Sequence, residues 1–289
     1  MPTPFDIRPP THREGDFVHR SPCARIALPK RDALFMANNE VFPTPLVKQV
    51  AFEIRFPNLF FIEGRIGEFQ VLIMKDFPQS ELVQRRNFML LAGNVDSPQA
   101  QEIAKQQPSD TEKIWQFKSE SGSRVEISSK NLIVVAEKHI AYHEGGEKSF
   151  RGVVEKVVAH FLGLIQIPIV QRVGLRYINE CPLFDITTEG FKACYNSILP
   201  VNRYGLENLS RADCIAVAKD GDMQIQHVES LRFATPTGDI LVLDLDAFTE
   251  NTTSDKVMAT ADKLHEMISA EFRNVIKEPI VEYMRRRKN

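Results

Sequence analysis

The sequence predicts an α+β fold in which two β-α-β-β-β-α units make one curved antiparallel sheet with helices on a single face. Three observations predict it. Apolar and polar residues alternate through residues 47–56 and again through 170–179, the period of a strand with one buried face. Each of these runs is followed by an apolar stripe of helical period, three closely spaced strand-like runs and a second helix. A shift of 123 residues brings Val47, Val50, Phe52 and Ile54 onto Val170, Val173, Leu175 and Tyr177. Helices gathered on one face of an antiparallel sheet follow from that element order.

Residues 1–45 hold eight of the 17 prolines and only short apolar runs, so they read as an extended arm or a partly disordered tail. In 47–56, Val50, Phe52, Ile54 and Phe56 form the buried alternate. Ile62, Ile66, Phe69 and Ile73 are spaced four, three and four apart on a helix that Pro78 stops. Residues 79–113 read as a polar connector with a short helix near 98–105. Strands follow at 114–119, 124–128 and 132–137, with turns at Gly122 and Asn131. A helix over 150–164 buries Phe150, Val153, Val154, Val157, Phe161 and Leu164.

The order then restarts. After the strand at 170–179, Ile186, Phe191, Cys194, Tyr195 and Ile198 mark a short helix ended by Pro200. Strands are expected at 214–218, 223–233 and 239–248, with turns at Asp220-Gly221 and Thr237-Gly238. The closing helix starts at Ser254 as N-cap and buries Met258, Ala261, Leu264, Ile268, Phe272 and Val275. A last short helix ends in the basic run 285–288. The domain reading is an arm (1–45), a first half (46–168) and a second half with a basic C-terminus (169–289).

Composition bounds the function classes. Of 289 residues, 26% are charged and the formal net charge is −2, so no overall field steers the protein toward nucleic acid or anionic lipid. No stretch approaches the roughly 20 apolar residues that cross a bilayer. Residues 1–10 are polar and lack the apolar segment of a secretory signal, so a cytoplasmic location and no membrane partner are expected. Cys23, Cys181, Cys194 and Cys214 form no Cys-x-x-Cys pair and read as reduced, packed thiols.

If the apolar alternate packs on the helices, the other alternate faces away from them. That face carries Gln49, Glu53, Arg55, Gln116, Lys118, Glu126, Arg172, Arg176, Gln224, Gln226, Arg232, Asp244 and Asp246. It is either an ordinary wetted surface or a groove for a polar partner. Glu53, Arg55, Arg172, Arg176 and Arg232 are the candidate binding residues. Mixed charge and few aromatics argue against a nucleic-acid surface, which stays open as an alternative through Arg172, Arg176, Arg232 and the basic C-terminus.

Catalytic signatures are weak. Asp244 and Asp246 project from one face of one strand about 7 Å apart, a spacing that suits a metal-dependent hydrolase. Glu126 and Lys118 would complete such a set from a neighbouring strand. His139 and His143 form an H-x-x-x-H-E string with Glu144, a metal pair if helical, but Gly145-Gly146 follows at once and favours a strand end. No phosphate-binding glycine loop and no G-x-S-x-G elbow occurs, and no cofactor is implied.

The segments P-L-V-K-Q-V-A-F-E-I-R-F, I-G-E-F-Q, W-Q-F, V-E-I-S, R-V-G-L-R-Y-I-N and L-H-E-M-I-S-A-E-F-R together resemble a sporadically distributed prokaryotic family of uncharacterised proteins. The resemblance spans about residues 45–284. It implies a prokaryotic host and an accessory role in mobile-element or defence neighbourhoods, and it assigns no functional residue. In element order alone, the fold resembles the saddle of TATA-binding protein.

The functional expectation is a non-catalytic binding protein with a protein partner, using the polar face or the cleft between halves. The alternative is a metal-dependent hydrolase of nucleic acid or nucleotides through Asp244, Asp246 and Glu126. A homodimer through exposed strand edges is a third expectation.

Overall fold

Nine antiparallel strands make one sheet in the computed structural model, which describes residues 41–86, 111–138, 141–143 and 145–287. These residues belong to one compact unit, Asn38–Asn289. The strands are β1 (Val47–Arg55), β2 (Gln79–Arg86), β3 (Thr111–Lys118), β4 (Ser123–Ile127), β5 (Asn131–Ala136), β6 (Ile169–Pro182), β7 (Asp213–Asp220), β8 (Met223–Thr235) and β9 (Gly238–Thr253). Their spatial order is β2-β3-β4-β5-β1-β6-β9-β8-β7. The first strand of each predicted half therefore meets the other at the centre, and Phe52 lies directly opposite Leu175.

The helices are α1 (Ile66–Ile73), α2 (Phe150–Leu164), α3 (Thr188–Cys194), α4 (Val201–Tyr204), α5 (Val257–Val275) and α6 (Glu278–Arg285). Across the sheet, Phe117, Val125, Val134, Phe52, Leu175, Ala247 and Ile225 lie side by side and are buried. Phe69 of α1 meets Phe117 at 5.9 Å between ring centroids, and Phe161 of α2 stacks on Phe56 at 5.4 Å. This is the helix-covered face, and its core comes from the alternation that the sequence displays. The Ser149 hydroxyl accepts from the Gly152 N–H at 3.0 Å and starts α2.

Several expectations shift. The polar connector contains β2, which pairs along its length with β3. Leu82 stays half-exposed there, so backbone hydrogen bonds alone define this outer strand and no apolar alternation marks it. The helix expected near 98–105 lies outside the described residues. Pro200 precedes α4 and does not close α3, while Ile186 and Ile198 are exposed and lie off the buried stripe. Ser254 is not the cap of α5, because its hydroxyl donates to the Ile167 carbonyl and a 3₁₀ turn precedes the helix. Val257, not Met258, opens the buried stripe. Of the arm, residues 41–45 are described, and Thr44 donates from its N–H to the Met284 carbonyl and from its hydroxyl to that of Arg286.

Candidate functional site

The face turned away from these helices is organised around Arg172. Glu53 on β1, Gly174 on β6 and Phe248 on β9 stand in one row across the sheet. Arg172 lies two residues before Gly174 on the same face, and its guanidinium folds over the glycine into the volume a Cβ would need. There it donates to Glu53 at 2.5 Å, donates to both carboxylate oxygens of Asp246 at 2.8 and 2.9 Å, and sits 4.6 Å from the Phe248 ring centroid. A planar fork between two carboxylates with an aromatic beneath it is a geometry that lysine cannot reproduce.

Arg176 makes the next rung. It donates to the two oxygens of Asp244 at 2.8 and 2.5 Å, and that pairing holds its guanidinium charged. Arg55 reaches Glu53 at 2.9 Å. Burial pushes the Asp246 carboxyl upward, while Arg172 and Arg176 oppose the rise. Three guanidiniums and three carboxylates thus share one network at the centre of this face, and it has no basic excess.

The other predicted residues fall elsewhere. Arg232 pairs with Asp213 at 2.9 Å towards the β7 side. Glu126 on β4 accepts from Arg124 at 2.7 Å and from Gln116 at 3.0 Å. Lys118 pairs with Glu81. Strands β5, β1 and β6 lie between Glu126 and the Asp244–Asp246 pair, four strand spacings or about 19 Å in all. Those acids therefore do not converge. Among the described residues, no group of three or more His, Cys, Asp and Glu is arranged to hold a metal ion. His143 is exposed in a non-helical stretch, and His139 lies outside the described residues.

Two titratable clusters on the helix side are not among the sequence-predicted residues. On β8, His227 and Glu229 occupy the alternate of Ile225 and Leu231, so both are buried. His227 reaches Glu229 through Nε2 at 2.9 Å and Glu271 of α5 through Nδ1 at 2.7 Å. Burial disfavours the imidazolium, but the two carboxylates outweigh it and lift His227 to about 9. Glu229 also accepts from the Ser197 hydroxyl and the Ile198 N–H. Ser197 in turn lines a cavity of about 300 Å³ with Phe191, Lys192, Tyr195, Asn196, Val201, Asn202 and Lys277. With its oxygens bonded to His227, the Ser197 hydroxyl and the Ile198 N–H, Glu229 pins the 197–199 loop to the sheet. The signal was present in the sequence as two ionisable residues in the apolar phase of a strand.

The second cluster surrounds His265 of α5. Its ring stacks on Tyr142 at 3.9 Å and 8° from parallel, and its Nδ1 lies 3.2 Å from the Tyr177 hydroxyl. Asp262 accepts from Tyr142 at 3.0 Å and from Arg151 at 2.8 and 3.1 Å. Burial, helped by His143, pushes His265 down to about 4.

Comparison of the chain with protein-family models, with curated proteins and with solved structures finds no match.

Proposed function

We propose that the chain is a binding protein that takes a polar partner on the face of β1, β6 and β9 turned away from the helices. Arg55 and Arg176 are its contact residues, and Arg172 is their anchor. The observation that carries this reading is the contrast in exposure within one network. The Arg172 side chain keeps 12% of its surface, whereas those of Arg55 and Arg176 keep 56% and 50%. A fixed central cation with half-exposed guanidiniums on either side is a pre-organised recognition surface.

The balance of charge selects the partner class. Nucleic acid demands a basic excess, which the three carboxylates cancel here. A protein surface bearing both signs is the better complement, because each exposed arginine can exchange its internal carboxylate for an external one. The duplicated, saddle-like plan belongs to the same proposal. Phe52 and Leu175, matched by the 123-residue shift, face one another at the centre of the sheet, where a local two-fold axis relating the halves would pass.

The test compares the full chain with an Arg55→Ala, Arg176→Ala double variant, both purified gently from the native host and weighed intact by native mass spectrometry. The species bound to the parent should be missing from the variant while the melting temperature is unchanged. Equal capture by both overturns the site.

A further inference from the structure

We propose that two copies of the chain pair through β7, antiparallel and centred on Ala216, so that one sheet runs through both. β7 ends the described sheet, and on it Ile215 keeps 67% and Val217 55% of their surface. Every other residue of β7 is exposed except the half-buried Cys214. Edge strands are ordinarily guarded by inward charges, proline or a bulge, yet Cys214-Ile215-Ala216-Val217-Ala218 has none of these. The opposite edge, β2, reads Q-S-E-L-V-Q-R-R and carries its own charges.

Hydrogen-bond parity restricts the pairing. The Leu231 N–H donates to the Ala212 carbonyl, so residue 212 and every second residue after it point their backbone groups at β8. The N–H and C=O groups of 213, 215, 217 and 219 consequently point to the open edge. A second β7 can bond to them only if outward residues face outward residues, which excludes every register with an odd offset.

Among the permitted registers, the one centred on Ala216 is complementary in charge and in shape. It sets Asp213 opposite Lys219 twice and Ile215 opposite Val217 twice, all on one face. Cys214 opposite Ala218 and Ala216 opposite itself fall on the other face, where small side chains let the strands approach. A shift by two residues in one direction sets Lys219 opposite Arg211. A shift in the other sets it opposite Ile215. Only the central register joins both apolar pairs and both ion pairs. The two-fold axis stands perpendicular to the sheet, so the Arg172 faces of both copies look the same way. This interface uses neither Arg55 nor Arg176, and it stands or falls apart from the binding reading above.

The experiment is sedimentation equilibrium on the full chain across the micromolar range, beside two sets of variants. Val217→Pro removes an outward N–H and leaves the bonds to β8 in place. It should raise the dimer dissociation constant at least about tenfold, with the thermal melt unchanged when both chains are diluted to monomer. Lys219→Glu, which spares the backbone, should weaken the dimer as well. In a Cys214→Ser background, Ala216→Cys should form a disulfide-linked dimer on oxidation, identified by mass spectrometry of the linked peptide. A parent chain that stays monomeric overturns the proposal, and so does a dimer indifferent to Val217→Pro. Linkage through cysteine at 215 or 217 but not at 216 overturns the register.

Discussion

Arg172 lies over Gly174, two residues further along its own strand, and fills the space that a side chain there would claim. Alanine at 174 is ordinarily better than glycine inside a strand by about 0.5–1 kcal/mol. Here the added methyl must displace a guanidinium that bonds Glu53 and Asp246, leaving two half-buried carboxylates without the cation they share. Gly174→Ala should therefore lower stability by about 1–3 kcal/mol in chemical denaturation. Arg172→Ala should cost at least as much. A stabilised Gly174→Ala protein would show that the arginine does not hold the network together.

The His227 cluster ties stability to pH on the alkaline side. An unfolded histidine titrates at 6.5, and the folded one at about 9, because Glu229 and Glu271 bind the imidazolium. A raised folded value gives stability that is complete below 6.5 and is lost as pH rises toward 9. The loss should amount to at most about 3 kcal/mol. From the other partner, Glu271 is held below 4.5, so the same attraction also fades in acid. Thermal melts from pH 6 to 9 should show the alkaline decline in the parent, and Glu271→Gln should flatten it.

His265 acts in the opposite direction. Its folded value near 4 means that the native state excludes a proton the unfolded chain accepts below 6.5. Stability is then complete above 6.5 and falls as pH drops toward 4, by about 1–2 kcal/mol once solvent screening is allowed for. His265→Phe keeps the stack on Tyr142 and removes the titration. Its melting temperature should fall less than that of the parent between pH 6.5 and 4.5. NMR titration of the His265 ring gives the value directly.

Thiol chemistry divides the described cysteines. Burial raises Cys181, which is fully enclosed, and Cys194 is also buried and raised. Cys214 sits half-buried on β7. Of these three in the folded protein, alkylation should modify Cys214 first, and Cys181 only on the timescale of unfolding. Peptide mass spectrometry after timed labelling reads the order, and early labelling of Cys181 would contradict its enclosure.

Apolar periodicity alone specifies the α+β class, most strand positions and the two faces of the sheet in this sequence. Strand alternation and helical stripes are written in single residues: Phe52 and Leu175 inward, Glu53 and Arg176 outward. It could not show β2, because an outer strand needs only backbone bonds and leaves no apolar period. Nor could it show which outward residues meet, since register between strands far apart in the chain is settled by the whole sheet. Arg172 finds Asp246 across 74 residues and Glu53 across 119, a juxtaposition that exists only once β1, β6 and β9 lie side by side. The same holds for His227 and Glu229. Their placement in an apolar phase was legible, but α5 had to pack on β8 before Glu271 could turn a buried histidine into a charged one. Local pattern decides which way a side chain faces, and only the assembled fold decides what it meets there.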